Sequence, residues 1–450
     1  MPVKQERTEI EVQSERTVLA AVRLPESRYD KSDPFGELRS LAEQAGAIVV
    51  GELTQALDRP VAGTFMGSGK VQELKNLCEA LDAKTIIFDH DLAPKQIANI
   101  EEITGRKVID RSELILDIFA SRATTHEAKL QVELAQLEYT YPRLRAMWDH
   151  LERIVGRGGI GGIGTRGPGE QQLEIDRRLV QAKRVDLQRE LATIQDRKRR
   201  EVRERKVDFF TVGLVGYTNA GKSTLFNTLT AGGAYADDRP FATLISRTRN
   251  WDMGGGLSVM LSDTVGFVRD LPTNLIASFR ATLEEATHAD VLLIVLDVSD
   301  PAAELQFHTV NETLDGIFKE VAEREAKEGI SWTPPRRVLL LNKIDRLKDN
   351  REVLIWKGKV PDAIAISGRD LSHPGHAELR DRVRAAAQGT IEELSITVPL
   401  SDSKTIHTIE NRSQVLSRDY STDSVTLRAR IGSRQLDQLR SAGARMAVHK

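Results

Sequence analysis

The strongest chemical signal in the sequence is a phosphate-binding loop of the pattern G-x-x-x-x-G-K-S/T. Eight consecutive residues form it: Gly216, Tyr217, Thr218, Asn219, Ala220, Gly221, Lys222 and Ser223. Backbone amides of such a loop, together with the N-terminus of the next helix, surround phosphate oxygens. Lys222 is predicted to reach the β- and γ-phosphates, and the Ser223 hydroxyl to bind Mg²⁺. The sequence therefore predicts a nucleoside triphosphate site.

A second phosphate-side motif follows a strand-like run at 257–262 and consists of Asp263, Thr264, Val265 and Gly266. The Asp263 carboxylate can hold Mg²⁺ through water, and the Gly266 N–H can meet the γ-phosphate. Lys222 and Gly266 are therefore predicted to take part in catalysis.

The base side of the site is predicted from two later segments. An apolar run at 338–341 ends in Asn342, Lys343, Ile344 and Asp345, and the run at 364–366 ends in Ser367. The Asp345 carboxylate can accept hydrogen bonds from N1–H and N2–H₂ of guanine, whereas adenine offers no such pair. Ser367 is predicted to be the last base-side contact. These motifs, in this order behind a phosphate-binding loop, predict guanine specificity.

Two residues bear on how the chemistry would proceed. Phe267 stands where many GTPases place a glutamine that orients the attacking water, and its side chain can neither donate nor accept a hydrogen bond. Slow intrinsic turnover is therefore expected. The amide oxygen of Asn219 either holds K⁺ or makes only a loop-shaping hydrogen bond, and the sequence leaves both open.

The surrounding elements indicate an α/β protein. Strand-like and helical runs alternate over 17–121, which predicts a small domain with a parallel sheet. Within it, Gly67–Lys70 lacks the spacing of a second phosphate-binding loop, so we expect a tight turn that opens a helix at 71–81. Around the true loop, a strand at 207–215 and a helix at 223–230 are predicted.

Between these regions, apolar residues recur every three or four positions from Leu130 to Leu151, and every seven from Leu173 to Ile194. This pattern predicts two helices packed as an antiparallel hairpin, with Pro142 disturbing the first. The intervening tip, 156–169, holds eight glycines together with Arg157 and Arg166. It is suited to RNA phosphates and unstacked bases, with a flexible linker as the alternative.

Composition is that of an ordinary globular protein, and the formal net charge is −2. The middle segment differs, because residues 121–206 carry 19 Lys and Arg against 13 Asp and Glu. An anionic partner is therefore expected there. The single Cys78 permits no internal disulfide and is interpreted as a buried apolar residue, and the N-terminus lacks an apolar signal segment. We expect a cytoplasmic protein.

Several unusual segments resemble the signature of the HflX family of GTPases: residues 114–119, 127–136, 148–151, 166–170 and 176–178. The resemblance runs from about 17 to 445. It implies a P-loop GTPase domain preceded by a small α/β domain and a long antiparallel helical hairpin, with a small C-terminal domain. We expect the boundaries 1–121, 122–206, 207–390 and 391–450.

The resemblance also implies function. Members of the family are ribosome-associated GTPases that bind the large subunit, reach its catalytic centre with the glycine-rich tip and help split stalled ribosomes under stress. The expected partners are GTP or GDP and the large ribosomal subunit with its rRNA. A monomer is expected, without DNA or integral membrane contact.

One further nucleotide-binding segment is implied by the resemblance, and it consists of Phe241, Ala242, Thr243, Leu244 and Ile245. Thr243 corresponds to the switch-I Mg²⁺ ligand and completes the predicted catalytic set. The chain departs from the family in a longer tip, in Ile-Ser-Arg-Thr after Leu244 where Asp-Pro-Thr-Thr is usual, and in Gly368 where alanine is usual.

The sequence thus favours a Mg²⁺-dependent GTP hydrolase acting on the ribosome. Two alternatives stay open at this point. One is a GTP-gated ribosome- or RNA-binding module with little turnover, and the other is an ATP-assisted RNA remodeller working through the N-terminal domain. Asp345 speaks against ATP at the main site.

Overall fold

The computed structural model describes residues 15–25, 27, 29, 33–157, 168–230, 247–254, 257–264, 266–269, 285–330, 332–389, 391–441 and 443–449. The chain divides close to residue 191 into two compact units. Residues 158–167 of the predicted glycine-rich tip, including Arg166, and the segment 241–245 lie outside the described residues.

A four-stranded parallel sheet in the order β2-β1-β3-β4 lies at the centre of the N-terminal unit. Its strands are β1 (Arg16–Arg23), β2 (Ile48–Ala56), β3 (Thr85–Phe88) and β4 (Lys107–Ile109). Its helices are α1 (Gly36–Gln44), α2 (Ser68–Ala80), α3 (Pro94–Thr104) and α4 (Arg111–Arg122). Alternating strands and helices bury one apolar cluster. The predicted parallel α/β domain is confirmed, and Gly67 is the residue that precedes α2.

Two long helices follow, α5 (His126–Arg157) and α6 (Pro168–Asp208). They are antiparallel, because His126 at the start of α5 lies 2.8 Å from Glu190, whereas Glu133 further along pairs with Lys183. Each helix also carries buried leucines, namely Leu130 and Leu134 on α5 and Leu187 and Leu191 on α6. The predicted hairpin is confirmed. Pro142 lies inside α5 and does not end it, since the helix runs through to Arg157.

The second unit contains a six-stranded sheet in the order β10-β9-β8-β5-β7-β6. All neighbours are parallel except β6 and β7. Its strands are β5 (Thr211–Gly216), β6 (Arg247–Gly254), β7 (Leu257–Asp263), β8 (Val291–Asp297), β9 (Arg336–Asn342) and β10 (Ile364–Ala365). Its helices are α7 (Lys222–Leu229), α8 (Ala303–Lys327), α9 (Arg351–Lys359) and α10 (Pro374–Gln388).

One predicted boundary is wrong. The strand expected from Val207 begins only at Thr211, because α6 continues to Asp208. Residues 197–206 are mainly Arg, Lys and Glu. These are strong helix formers, and they extend α6 into the apolar segment that predicted the strand.

The carboxyl ends of the parallel strands meet at one edge of the six-stranded sheet. Leu214 pairs with Asp263, and Asp297 pairs with Asn342. Ligands of open α/β sheets bind outside this edge. The sheet therefore brings the phosphate-side and base-side motifs together.

A small antiparallel sheet closes the chain, in the order β12-β13-β11-β14. Its elements are β11 (Ile391–Pro399), α11 (Ser403–Arg412), β12 (Gln414–Tyr420), β13 (Ser424–Gly432), α12 (Ser433–Ser441) and β14 (Ala447–His449). An ion pair joins it to the six-stranded sheet, since the Arg434 guanidinium lies 2.8 Å from the Asp290 carboxylate. The predicted small C-terminal fold is confirmed.

Candidate functional site

The phosphate-binding loop runs from the end of β5 to the start of α7 and needs glycine at its last turn. Gly221 precedes α7 with φ of 93°, a left-handed conformation that glycine adopts readily. A Cβ atom there would lie 2.4 Å from the Asn342 amide nitrogen. The loop can therefore approach the base-side motif closely only because residue 221 has no side chain.

Lys222 is buried at the centre of this loop. Its ammonium donates hydrogen bonds to the carbonyl oxygens of Gly216, at 3.2 Å, and Tyr217, at 2.8 Å. Burial lowers the pKa of Lys222 to about 8, while the Asp263 carboxylate opposes this shift and the Lys343 ammonium adds to it. A buried cation with so little compensating charge favours an anionic ligand.

The two residues predicted on the Mg²⁺ side lie together. The Ser223 hydroxyl donates to the Asp263 carboxylate at 2.7 Å. Asp263 is the last residue of β7, and Thr264 after it donates to the carbonyl oxygen of Leu214. This places a hydroxyl and a carboxylate, both oxygen ligands, beside the first turn of α7.

The segment after Asp263 passes close to the loop. A Cβ atom on Gly266 would lie 2.9 Å from the Lys222 ammonium nitrogen and 2.9 Å from the Thr218 Cα, and because the latter is backbone only glycine fits at this approach. The next residue, Phe267, donates its N–H to the Gly216 carbonyl and accepts from the Thr218 N–H. Val265 between them lies outside the described residues.

The base-side residues form a connected network. The Asn342 amide donates to the Ala220 carbonyl and accepts from the Gly368 N–H, each at 2.8 Å. The Ser367 hydroxyl donates to the Asp345 carboxylate at 2.7 Å. Ile344 opens the short 3₁₀ turn that contains Asp345. The structure thus joins the two predicted base-side segments to each other and to the phosphate-binding loop.

Two contributors, Asp297 and His376, were not identified from the sequence, and the predicted loop residue Tyr217 makes a side-chain contact that the motif does not indicate. Asp297 pairs with Lys343, and Tyr217 accepts the Arg269 N–H at its hydroxyl. His376 on α10 contacts the Ser367 carbonyl. Asp297 had a sequence signal, because it directly follows the wholly apolar run 291–296. His376 and the hydroxyl contact of Tyr217 had none.

The predicted segment Phe241, Ala242, Thr243, Leu244 and Ile245 lies outside the described residues, so its place in the site stays a prediction. The exposed Asn219 adopts φ of 60°, a left-handed conformation that asparagine tolerates, and its carbonyl accepts from the Lys343 ammonium. No helix in the described part of the chain is long and apolar enough to cross a bilayer.

A phosphate-binding loop, a following aspartate and an asparagine–aspartate base motif at one sheet edge define the class of P-loop GTPases. Three family models match the chain in order: a GTP-binding GTPase N-terminal region at 32–120, a GTP-binding GTPase middle region at 122–206 and a 50S ribosome-binding GTPase at 211–343.

Curated relatives agree with these matches. The GTPase HflX of Lacrimispora saccharolytica is 46% identical over 314 residues, which cover 69% of this chain and 72% of the relative. The GTPase HflX of Magnetococcus marinus is 38% identical over 92% of this chain and 91% of its own length. A Sulfolobus solfataricus GTP-binding protein with GDP is 25% identical, with coverage of 83% and 98% and a TM-score of 0.40. The chain belongs to the HflX family of GTPases, and it hydrolyses GTP.

Proposed function

We propose that this GTPase is Mg²⁺-dependent, binds the large ribosomal subunit and helps dissociate or rescue stalled ribosomes, under stress above all. The observation that carries the nucleotide part is the Asn342 amide, which links the phosphate-binding loop at Ala220 to the base loop at Gly368. This connection suits a ligand that contacts both loops at once, as a guanine nucleotide does.

The residues present fit Mg²⁺. Mg²⁺ prefers oxygen ligands and in nucleotide sites is held by one or two protein groups together with phosphates. The Ser223 hydroxyl and the Asp263 carboxylate, 2.7 Å apart, supply such oxygens. We propose that Ser223 binds the ion directly, that Asp263 holds it through water and that Thr243 is a further ligand. The bound ion neutralises charge that develops on the phosphates.

The chain's own groups would orient the nucleotide. The Lys222 ammonium exchanges its contacts with loop carbonyls for phosphate oxygens, which compensates the cost of its burial. The Asp345 carboxylate accepts hydrogen bonds from the guanine ring, and it is oriented by the hydrogen bond that the Ser367 hydroxyl donates to it. Gly266 offers its N–H near Lys222. These site assignments, with K⁺ at Asn219 as an additional candidate, are part of the proposal.

Three observations support the ribosomal part. The matched family model for 211–343 is described as a 50S ribosome-binding GTPase. Residues 121–206 carry the excess of basic residues that an RNA partner requires. Helices α5 and α6 are long and antiparallel, and the sequence 156–169 between and within their ends holds eight glycines with Arg157 and Arg166. We further propose the four-domain division at 121, 206 and 390, a monomer and a cytoplasmic location.

The proposal is tested by measuring GTP turnover with purified large subunits, small subunits or neither. Large subunits alone should raise the rate, and dissociation of stalled ribosomes should require GTP. A variant with Lys222→Ala should bind GTP too weakly to act in either assay. An unchanged rate with large subunits, together with no binding to them, would reject the ribosomal part and leave the GTPase assignment intact.

A further inference from the structure

His376 lies buried in the first turns of α10, behind the loop that carries Ser367. Its Nε2 atom is 2.9 Å from the Ser367 carbonyl oxygen. A carbonyl oxygen can only accept, so Nε2 carries the proton and donates. The Ser367 carbonyl therefore fixes the imidazole tautomer of His376. The hydrogen bond holds the backbone of the base loop and not a side chain.

Ser367 is held through both its carbonyl oxygen and its hydroxyl. Its carbonyl accepts from His376 and from the Asp370 N–H at 3.3 Å, whereas its hydroxyl donates to the Asp345 carboxylate at 2.7 Å. A shift of the Ser367 backbone would therefore move the hydroxyl that orients Asp345. His376 is thus two hydrogen bonds away from the carboxylate that reads the guanine ring.

We infer that His376 is a positioning residue for base selection, acting through Ser367 on Asp345. The inference rests on the proposed role of Asp345 in guanine recognition. It extends that role to a residue on a separate helix that is not among the predicted nucleotide-binding or Mg²⁺-binding residues.

The start of α10 is built to hold His376 in this place. A Cβ atom on Gly375 would lie 2.0 Å from the Ala365 carbonyl oxygen, so the helix begins in direct contact with β10. His373 precedes the helix and accepts the Gly375 N–H at 3.1 Å. The helix origin is therefore fixed independently of His376, which offers a matched control: His373 stabilises the same helix and makes no hydrogen bond to Ser367.

A buried imidazole that only fills space would predict different behaviour. Replacement of such a residue lowers stability without altering which base is preferred. A positioning residue changes the preference itself. The informative quantity is therefore the ratio of the affinities for GDP and IDP, because IDP lacks the N2 amino group and loses one of the two hydrogen bonds to Asp345.

The experiment measures the Kd of the full-length protein for GDP, for IDP and for inorganic tripolyphosphate, which has no base. In the variant with His376→Leu we expect GDP affinity to fall about tenfold and the GDP/IDP ratio to fall toward one, since a hydrogen bond to a charged group is being misdirected. Tripolyphosphate affinity should not change. His376→Gln places an amide nitrogen near the position of Nε2 and should restore most of the ratio.

The control variant His373→Leu should lower thermal stability and keep the wild-type GDP/IDP ratio. A folded His376→Leu protein with the wild-type ratio would overturn the inference. If the wild type itself shows no preference for GDP over IDP, the proposed base recognition fails instead, and the two failures are thereby distinguished.

A measurement on the unmutated protein covers the case in which His376→Leu does not fold. With ¹⁵N-labelled histidine, the His376 signal, assigned by its loss in His376→Gln, should show the Nε2–H tautomer with slow proton exchange. GDP should slow that exchange further, because binding orders the base loop. An Nδ1–H tautomer, or an Nε2 proton that exchanges as fast as that of exposed His308, would overturn the inference.

Discussion

The Lys343 ammonium lies 2.7 Å from the Asp297 carboxylate and, at the same distance, donates to the Asn219 carbonyl oxygen. Lys343 itself has φ of 61°, the left-handed conformation that is uncommon outside glycine. One side chain from the base-side motif therefore connects β8 to the phosphate-binding loop. These two contacts give the lysine between Asn342 and Asp345 a structural role.

Replacing Lys343 by Met should therefore weaken nucleotide binding through the phosphate-binding loop. The Lys343–Asp297 pair is largely shielded from water. We therefore expect a loss of about 1–3 kcal/mol in GDP binding, or roughly fivefold to 150-fold. Titration with a fluorescent GDP analogue measures it. Lys348→Met, an exposed change nearby, should have no effect. Equal affinities of the Lys343→Met variant and the wild type would show that the connection does not support binding.

Asp345→Asn should redirect the base preference. The amide presents a donor where the carboxylate accepts, and xanthine carries an oxygen at position 2 where guanine carries an amino group. The variant should lose affinity for GDP and gain affinity for XDP, with a change of about 1–3 kcal/mol for each misplaced hydrogen bond. Competition between GDP and XDP for a labelled nucleotide gives the ratio. Full discrimination in favour of GDP would mean that Asp345 does not read the base.

Cys78 should report on unfolding of the N-terminal unit. It is buried in the apolar cluster beneath the parallel sheet, and burial raises the pKa of its thiol to about 11. Because the thiolate is the reactive form, labelling by iodoacetamide at pH 8 should be slow until the domain opens. The raised pKa also contributes stability that is present below pH 9 and is lost as pH rises toward 11. Rapid labelling of the folded protein would contradict this placement.

Much of the architecture was predictable because it rests on local patterns. The strand at Thr85–Phe88, the buried leucines beginning at Leu130 and the loop at Gly216 each follow from composition and spacing. The end of α6 was missed because a helix continued by Arg and Glu residues reached past Val207. The apolar pattern of a strand gives no information on where a preceding charged helix ends.

Parts of the site escaped prediction for a different reason. His376 was not predicted, and Tyr217 was predicted as a loop residue but not for the contact of its hydroxyl with Arg269. Both contacts join segments whose separation no motif spacing encodes. A lone histidine at the start of a helix is as compatible with capping as with backbone support, and here His373 does the former and His376 the latter. Only the three-dimensional register of β10 and α10 distinguishes them.

Salt should separate RNA binding by the hairpin from nucleotide binding by the loop. If the basic segment and the tip contact phosphates, the logarithm of subunit affinity should fall with that of salt by about 0.7–0.9 per contact. Arg157→Ala with Arg166→Ala should reduce the slope and any stimulated turnover, while GDP affinity in the free protein stays the same. Subunit binding that is indifferent to salt would exclude a phosphate-based contact.

Phe267, the residue after Gly266, predicts slow intrinsic GTP hydrolysis. Its backbone pairs with Gly216 and Thr218, and its side chain is buried, so the residue after Gly266 cannot orient an attacking water. Water positioning and charge stabilisation must come from elsewhere, and a partner that supplies a cationic group accelerates such sites by about 10³–10⁵-fold. Intrinsic turnover should therefore be slow and strongly stimulated by large subunits.

K⁺ at Asn219 is a second candidate source of the positive charge that stabilises the transition state. Its effect can be measured separately from that of the large subunit. Turnover should be compared in K⁺ and Na⁺, with and without large subunits, for the wild type and for Asn219→Ala. If the Asn219 amide oxygen holds K⁺, the wild type should be faster in K⁺ and the variant should lose that difference while retaining its response to subunits. A variant that keeps the full K⁺ effect would confine Asn219 to shaping the loop, as its left-handed backbone and its carbonyl contact with Lys343 already do. Fast intrinsic hydrolysis, indifferent to both cation and subunit, would mean that a group other than the side chain after Gly266 orients the water.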